Sequence, residues 1–287
     1  MVPAGEDHSA SMIECVVNVS EGRDLDSVNR LAEAAGPSLL DVHSDPHHNR
    51  SVLTLAGARV TRHVRNLARL AVEILDIRHH EGAHPFIGAL DVVPFVVLEG
   101  DPAEAIGVRD AFAKWAGAEL GLPCFLYGPE RSLPELRREA WRSLAPSFGP
   151  ACPHPTAGAC AVGAREVLVA YNVWLEGCTI EAARRVAKRV RGPVVRALGM
   201  ELGGKLQVSC NLLSPAVVGP AAIFDAIAQE ATVEGCKAAG AELVGLIPMG
   251  VLLMQPEGRW EELDLSPERT IEHRLEERLG KSRKMPT

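Results

Sequence analysis

Two histidine-rich segments carry the residue types best able to move protons. The denser is His79-His80-Glu81-Gly82-Ala83-His84-Pro85-Phe86-Ile87-Gly88-Ala89-Leu90-Asp91. A histidine framed by glycines and followed by proline can approach a substrate closely while its ring stays oriented. An imidazole that titrates near neutrality can accept a proton and return it within one turnover. His80-Glu81-Gly82-Ala83-His84 also fits the H-E-x-x-H spacing of zinc peptidases, a motif that works only on a helix, where residues four apart share a face. Gly82 inside it and Pro85 after it both disfavour helical backbone. Acid–base work without a metal is therefore the preferred reading.

The second segment, His43-Ser44-Asp45-Pro46-His47-His48-Asn49-Arg50, reads as a turn between paired strands. It either lines a pocket at a sheet end or forms a solvated tip. A basic run follows much later: Arg184, Arg185, Lys188, Arg189, Arg191 and Arg196. Arg184, Lys188 and Arg191 share one helix face, a solvated stripe that would attract carboxylates if it lay beside a pocket. Gly199 to Lys205 imitates a phosphate-loop spacing, but Leu206 stands where Ser or Thr would hold magnesium. A tight hairpin is expected there.

The elements that position these residues follow from periodicity. Strands are expected at residues 13–20, 39–43, 51–55 and 91–98, with helices at 24–35 and 59–75. Pro94 points to an edge or a bulge for the fourth strand. A helix from Asp101 to Leu120 and a strand at Cys124–Tyr127 follow, and residues 143–158, with four prolines, read as an ordered loop or connection. The order then returns: strand 167–173, helix 180–190, strands 194–200 and 205–212, helix 220–239 and strand 243–247. Two β-α-β-β-α-β runs predict an α/β (α+β) chain of two ferredoxin-like units side by side, with helices packed on mixed or antiparallel sheets. The division falls at 1–166 and 167–287, the last 33 residues forming a charged tail with one exposed helix at 267–279.

Bulk properties narrow the function classes. A net charge of −7 weighs against general nucleic-acid binding, and no apolar run approaches the roughly 20 residues of a membrane span. The polar N-terminus, residues 1–11, lacks a signal-peptide profile and reads as a disordered lead-in to a cytoplasmic protein. Seven cysteines without a CxxC pair predict reduced thiols rather than a disulfide framework or a thiolate zinc site.

The wording of several segments goes further. Glu14-Cys15-Val16-Val17-Asn18-Val19-Ser20-Glu21-Gly22, Asn49-Arg50-Ser51-Val52, the His84-to-Val92 loop and Phe148-Gly149-Pro150 resemble the glutamate formiminotransferase family. Gly163-Ala164-Arg165 with Tyr171-Asn172, Gln207 to Leu212, and Glu242 to Pro248 continue the resemblance in order. It implies two α/β subdomains, folate at their junction, a homodimer, and transfer of the formimino group from N-formimino-L-glutamate to N5 of tetrahydrofolate. His84 matches the family's catalytic histidine. Gly149-Pro150-Ala151-Cys152-Pro153-His154-Pro155-Thr156-Ala157-Gly158 matches a folate-contacting stretch. Asn18, His43, Asp45, Asn49, Arg50 and Arg196 are the substrate-binding candidates, the two arginines for carboxylates. Tetrahydrofolate is the co-substrate and no metal is required. The chain departs from the family at Phe86, where arginine is usual, and at His43, where an acid is common. These departures motivate an alternative, a folate-binding relative with lost or altered turnover; a zinc hydrolase is the third reading.

Overall fold

The computed structural model describes residues 11–82 and 85–284, apart from the side chains of residues 279 and 281–284. The N-terminal lead-in expected before residue 11 lies outside the described residues. The first unit runs β1 (Met12–Val19), α1 (Leu25–Ala35), β2 (Leu39–Asp45), β3 (Arg50–Ala56), α2 (Val60–Ile74), β4 (Leu90–Glu99), α3 (Glu104–Glu119), β5 (Cys124–Tyr127), α4 (Leu133–Glu139) and β6 (Cys160–Ala164). Its sheet has the order β2-β3-β1-β4-β6-β5. The first four strands are antiparallel neighbours in the split βαβ order. The strands β6 and β5 extend the sheet in parallel, each following a helical crossover.

The second unit runs β7 (Val169–Glu176), α5 (Ile180–Val190), β8 (Val195–Leu202), β9 (Lys205–Leu212), α6 (Pro220–Val233) and β10 (Lys237–Val244). Its order is β10-β7-β9-β8, all antiparallel. Gly203 and Gly204, both in the left-handed region, make the tight β8–β9 hairpin that the glycine-rich segment predicts. Helices α7 (Met249–Leu253) and α8 (Ile271–Lys284) close the described chain.

Alternation along β1 decides where the core sits. Ile13, Cys15, Val17 and Val19 pack with Leu31 of α1, Leu67 of α2 and Phe112 of α3. Each fully buried aliphatic contributes about 1.5–3 kcal/mol. Glu14, Val16 and Asn18 point the other way, opposite Ala56, Thr54 and Val52 of β3. The second sheet repeats the arrangement, with Tyr171 and Val173 packed on Val186 and Ile227. The faces turned away from α1–α3 and from α5 and α6 meet across a cleft, with α4 packed on the β5–β6 end of the first through Leu136. Beside the cleft, Leu40 of β2 and Ala56 of β3 pack with Leu246, just after β10, and with the Ile271 that opens the last helix.

Several local expectations are corrected. Pro94 lies in an interior strand, paired with Gly163 of β6. It is tolerated because β4's pairing with β1 steps from Cys15↔Phe95 to Asn18↔Val92, and the missing N–H falls in that gap. Helix α6 stops at Val233 rather than residue 239, since Gly235 turns left-handed and residues 237–244 form β10 instead. The tail contributes Leu263, Leu265 and Ile271 to buried positions, so it is not simply an exposed charged segment.

The cysteine expectation is also corrected. Cys178 and Cys236 form a disulfide across 58 residues of chain. They meet because Lys237 pairs with Glu176 where β10 adjoins β7, a long-range contact that cysteine spacing does not reveal. Cys15, Cys124, Cys160 and Cys210 are buried thiols, and Cys152 is an exposed one. Replacing Cys178 by Ser is expected to cost about 2–4 kcal/mol of stability. Denaturant midpoints of the variant, and of the wild type with and without reductant, check this.

Candidate functional site

The cleft consists of two adjoining cavities of 310 and 780 Å³. Both are bordered by Arg50, Val52, Arg137, Arg196, Asn211 and Val244, so the two sheets and α4 all contribute. Three guanidinium groups therefore converge where the cavities join. Arg50 opens β3 and donates from Nη2 to Asn18 Oδ1. Its Nε has no partner among the described residues. Burial pushes the Arg50 guanidinium down to about 10, against the pull of the Asp91 carboxylate.

Arg137 stands on α4, a helix started by the reciprocal capping of Ser132 and Glu135. Its Nη2 donates to Asp91 Oδ2 at 2.5 Å, and its Nε lacks a partner among the described residues. Asp91 is 1% exposed and also accepts the Ile87 N–H at 2.8 Å. Burial raises the Asp91 carboxyl, opposed chiefly by Arg137. One carboxylate thus holds both α4 and the strand-proximal half of the histidine loop.

The loop is fixed at other points too. Asn49 adopts a left-handed conformation, φ 47°. Its Oδ1 accepts the Gly22 N–H at 3.0 Å, and its Nδ2 donates to the Glu81 carbonyl at 3.1 Å. The ring of His80 packs edge-on against Phe86 with centroids 4.5 Å apart, and burial lowers the His80 pKa. Gly82 sits so close to the His48 carbonyl that a Cβ there would lie 2.3 Å from it. Residues 80–82 are not helical, so the geometry demanded by H-E-x-x-H is not formed on that stretch. His84 lies outside the described residues. Its neighbour Pro85 borders the larger cavity, as do His43, Asp45 and His48.

The predicted substrate-binding residues separate into two groups. Asn18, His43, Asp45, Arg50 and Arg196 all border the cleft. His43 Nε2 lies 3.5 Å from Glu242, which also accepts a hydrogen bond from Asn172 at 3.1 Å. Asp45 Oδ1 accepts the N–H groups of His47 and His48 at 2.7 and 2.9 Å, shaping the turn. Asn49 is a tie between the turn and the loop and does not border either cavity.

Residues Gly149 to Gly158 likewise do not border these cavities. They brace the histidine loop: Ile77 N–H donates to Thr156 O, Ala89 N–H to Ala157 O and Ala159 N–H to Ile87 O, at 2.9–3.0 Å. His154 Nδ1 accepts the Ala157 N–H at 3.1 Å, and Cys152 stays exposed. In the basic run, Arg185 and Arg189 pair with Glu234 of α6, whereas Arg191 borders the larger cavity and donates to Ala197 O at 2.8 Å.

Sequence reasoning assigned no role to Arg137, Asp91 or Glu14. The Ser132-x-x-Glu135 capping signal reveals α4, although not the direction of Arg137. Glu14 is 4% exposed and borders the smaller cavity. Burial pushes its carboxyl up to about 7, against the attraction of Arg165.

Two ferredoxin-like sheets enclose a cleft bordered by arginines and by Pro85 of the histidine-rich loop, the architecture of an α/β enzyme. The family model described as formiminotransferase domain, N-terminal subdomain, matches residues 12–165, and that of the formiminotransferase domain matches residues 170–265. The chain belongs to the formiminotransferase family. It is 36% identical to the glutamate formimidoyltransferase of Streptococcus pyogenes serotype M1, over 85% of this chain and 91% of that one. The Thermoplasma acidophilum glutamate formimidoyltransferase is 34% identical, over 85% and 90%. The formimidoyltransferase-cyclodeaminase of Sus scrofa is 36% identical over 85% of this chain, which spans about half (51%) of that longer protein.

Two outcomes follow from the desolvated charges. Arg50→Met is expected to raise the melting temperature, because a buried guanidinium without a carboxylate partner is replaced by an apolar side chain. The same variant is expected to weaken binding of a dicarboxylate ligand, and thermal shifts with and without glutamate check both. Glu14 keeps its proton up to about pH 7 when folded but releases it near 4.5 when unfolded. The unfolded chain then holds fewer protons between these values, so this group's contribution falls as pH rises from about 4.5 to about 7. Glu14→Gln is therefore expected to stabilise the free protein most above pH 7 and hardly at all at pH 4. Denaturation across that pH range reads the difference.

Proposed function

We propose that this protein transfers the formimino group from N-formimino-L-glutamate to N5 of tetrahydrofolate, giving 5-formiminotetrahydrofolate and L-glutamate. The observation that carries this reading is the cleft where Arg50, Arg137 and Arg196 converge beside Pro85, in a chain of the formiminotransferase family. Both reactants carry glutamate carboxylates, and guanidinium groups grip carboxylates in a fixed, bidentate geometry. Val52, Val244 and Leu198 supply apolar wall for flat rings between those cations. Folate fits such a composition, with rings on the walls and its glutamate tail on the arginines.

The chemistry needs one group that takes a proton and gives it back. N5 attacks the formimino carbon, forming a C–N bond and a tetrahedral adduct. A base removes the N5 proton as the adduct forms, and an acid protonates the glutamate nitrogen as the old C–N bond breaks. His84 serves both steps in turn, first as base and then as acid. The anchors on Glu81, Ile87 and Ala89 hold the flanks of its loop. No step calls for a metal.

Incubating the pure protein with formiminoglutamate and tetrahydrofolate is expected to build 5-formiminotetrahydrofolate. His84→Ala is expected to lower kcat by about 10²–10⁴-fold while leaving folate binding largely intact. Absence of turnover at saturating folate, or an active His84→Ala variant, would overturn the assignment.

A further inference from the structure

We infer that Glu14 is the anchor for the pteridine ring of the folate, accepting two parallel hydrogen bonds from its N3–H and 2-amino groups in the smaller cavity of the cleft. The inference rests on the folate reading above and adds the residue that recognises the ring. Glu14 is 4% exposed and borders the smaller cavity, and its carboxyl has no hydrogen-bond partner among the described residues. A buried acid is ordinarily paired or hydrogen-bonded, because leaving it unsatisfied costs the full desolvation of the group. Arg165, whose charge attracts the carboxylate, is engaged through Nη1 with the Glu166 carbonyl. The hydroxyl of Thr54, 1% exposed on the neighbouring strand β3, borders the same space and also has no partner among the described residues. Polar groups left open in this way toward a cavity are complementary to a ligand that brings donors.

The walls select the kind of ligand. Val16, Pro94, Leu168 and Leu246 line the same cavity, so its walls suit donors attached to an apolar, flat body. A carboxylate offers two acceptor oxygens in one plane and matches a pair of adjacent N–H groups. The 2-amino-4-oxopyrimidine edge of a pterin presents that pair. The formimino group of the donor has N–H groups as well, but its carbon must react beside the histidine loop. Asn18, at the loop end of β1, is about 13 Å along the strand from Glu14, four residues at roughly 3.3 Å each. A bicyclic ring spans part of that length. With its amino edge on Glu14, the second ring and N5 point along β1 toward Asn18 and Arg50. The benzoyl-glutamate tail then continues into the larger cavity, where Leu198, Arg191 and Arg196 lie.

The test compares tetrahydrofolate with its 2-desamino-2-methyl analogue, which lacks the amino donor, on wild type and Glu14→Gln by calorimetry. Gln offers one acceptor and one donor where the ring needs two acceptors. The wild type is expected to bind tetrahydrofolate about 10–100-fold more tightly than the analogue, and Glu14→Gln to lose that preference by weakening tetrahydrofolate alone. Melting temperature and the KM for formiminoglutamate should report an otherwise intact site. Equal weakening of both ligands, or a raised KM for the formimino donor with folate binding unchanged, overturns the role of Glu14. Should the variant fail to fold, the wild type decides: equal affinity for the two ligands overturns the inference. A wild type that binds neither ligand refutes the folate reading itself, which is a different result from tight folate binding that ignores the amino group.

Discussion

Helices α1, α2 and α3 cover one face of the first sheet, and α5 and α6 one face of the second. Helix α4 packs on only the β5–β6 end of the first sheet's other face, so most of the remaining surface has to be covered. The two sheets cover it for each other, but not by close packing. A sheet that alternates apolar and polar residues can bury one face in a core and leave the other to solvent. On β1 the second face carries Glu14, Val16 and Asn18, and β3 opposes it with Ala56, Thr54 and Val52. Too polar for a dry core and too enclosed for bulk water, this surface leaves a cleft when the two sheets stack. The apolar cluster of Leu40, Ala56, Leu246 and Ile271 ties β2 and β3 to α8 and to the chain just after β10 at the side of that space. The site is thus a consequence of how the two units meet, and neither sheet alone could form it.

Within that space the charges are arranged so that protein partners satisfy them incompletely. Arg137 has Asp91, but its Nε faces no partner among the described residues. Among the described residues Arg50 has the Asn18 amide alone, and burial depresses its pKa. Desolvated cations of this kind destabilise the free fold and strengthen the attraction for an incoming carboxylate, since both effects arise from the same low dielectric. The chain as a whole carries a charge of −7, so its basic character is local to the cleft. On the outer helices, by contrast, cations are neutralised: Glu230 and Glu234 pair with Arg185 and Arg189.

How much of this was legible in the sequence depends on the range of the interaction. The two β-α-β-β-α-β runs were legible because apolar periodicity is local, and the observed orders β2-β3-β1-β4 and β10-β7-β9-β8 are those of the predicted units. The extension by β6 and β5 was not, because β6 has only five small residues and follows a Pro-punctuated stretch. Pro94 argued for an edge on a local rule, and a gap in one ladder made an interior place acceptable. The disulfide depends on β7 and β10 being neighbours, which no spacing of cysteines encodes. For the site, Arg50, Arg196, His43, Asp45 and Asn18 were found from turn position and resemblance. Arg137 escaped because its helix is seven residues long and its direction is set by Asp91, 46 positions away in sequence. Asn49 differs: it was named for substrate binding, and its side chain is used up in holding two loops together.

The departure at Phe86 takes on a physical meaning in this setting. Family resemblance leads to an arginine directly after His84-Pro85, and its replacement would remove a cation from the loop. In the structure Phe86 packs against His80, stiffening the loop through an aromatic contact instead of a charged one. The cation can come from another element, because Arg137 reaches the cavity that Pro85 also borders. Asp91 makes this exchange workable: by accepting both the Ile87 N–H and the Arg137 guanidinium, it ties the position of that cation to the position of the loop. A carboxylate buried beneath the loop therefore couples two parts of the site that are distant in sequence. Charge in such a cleft is constrained by where it is delivered more than by which residue in the chain delivers it.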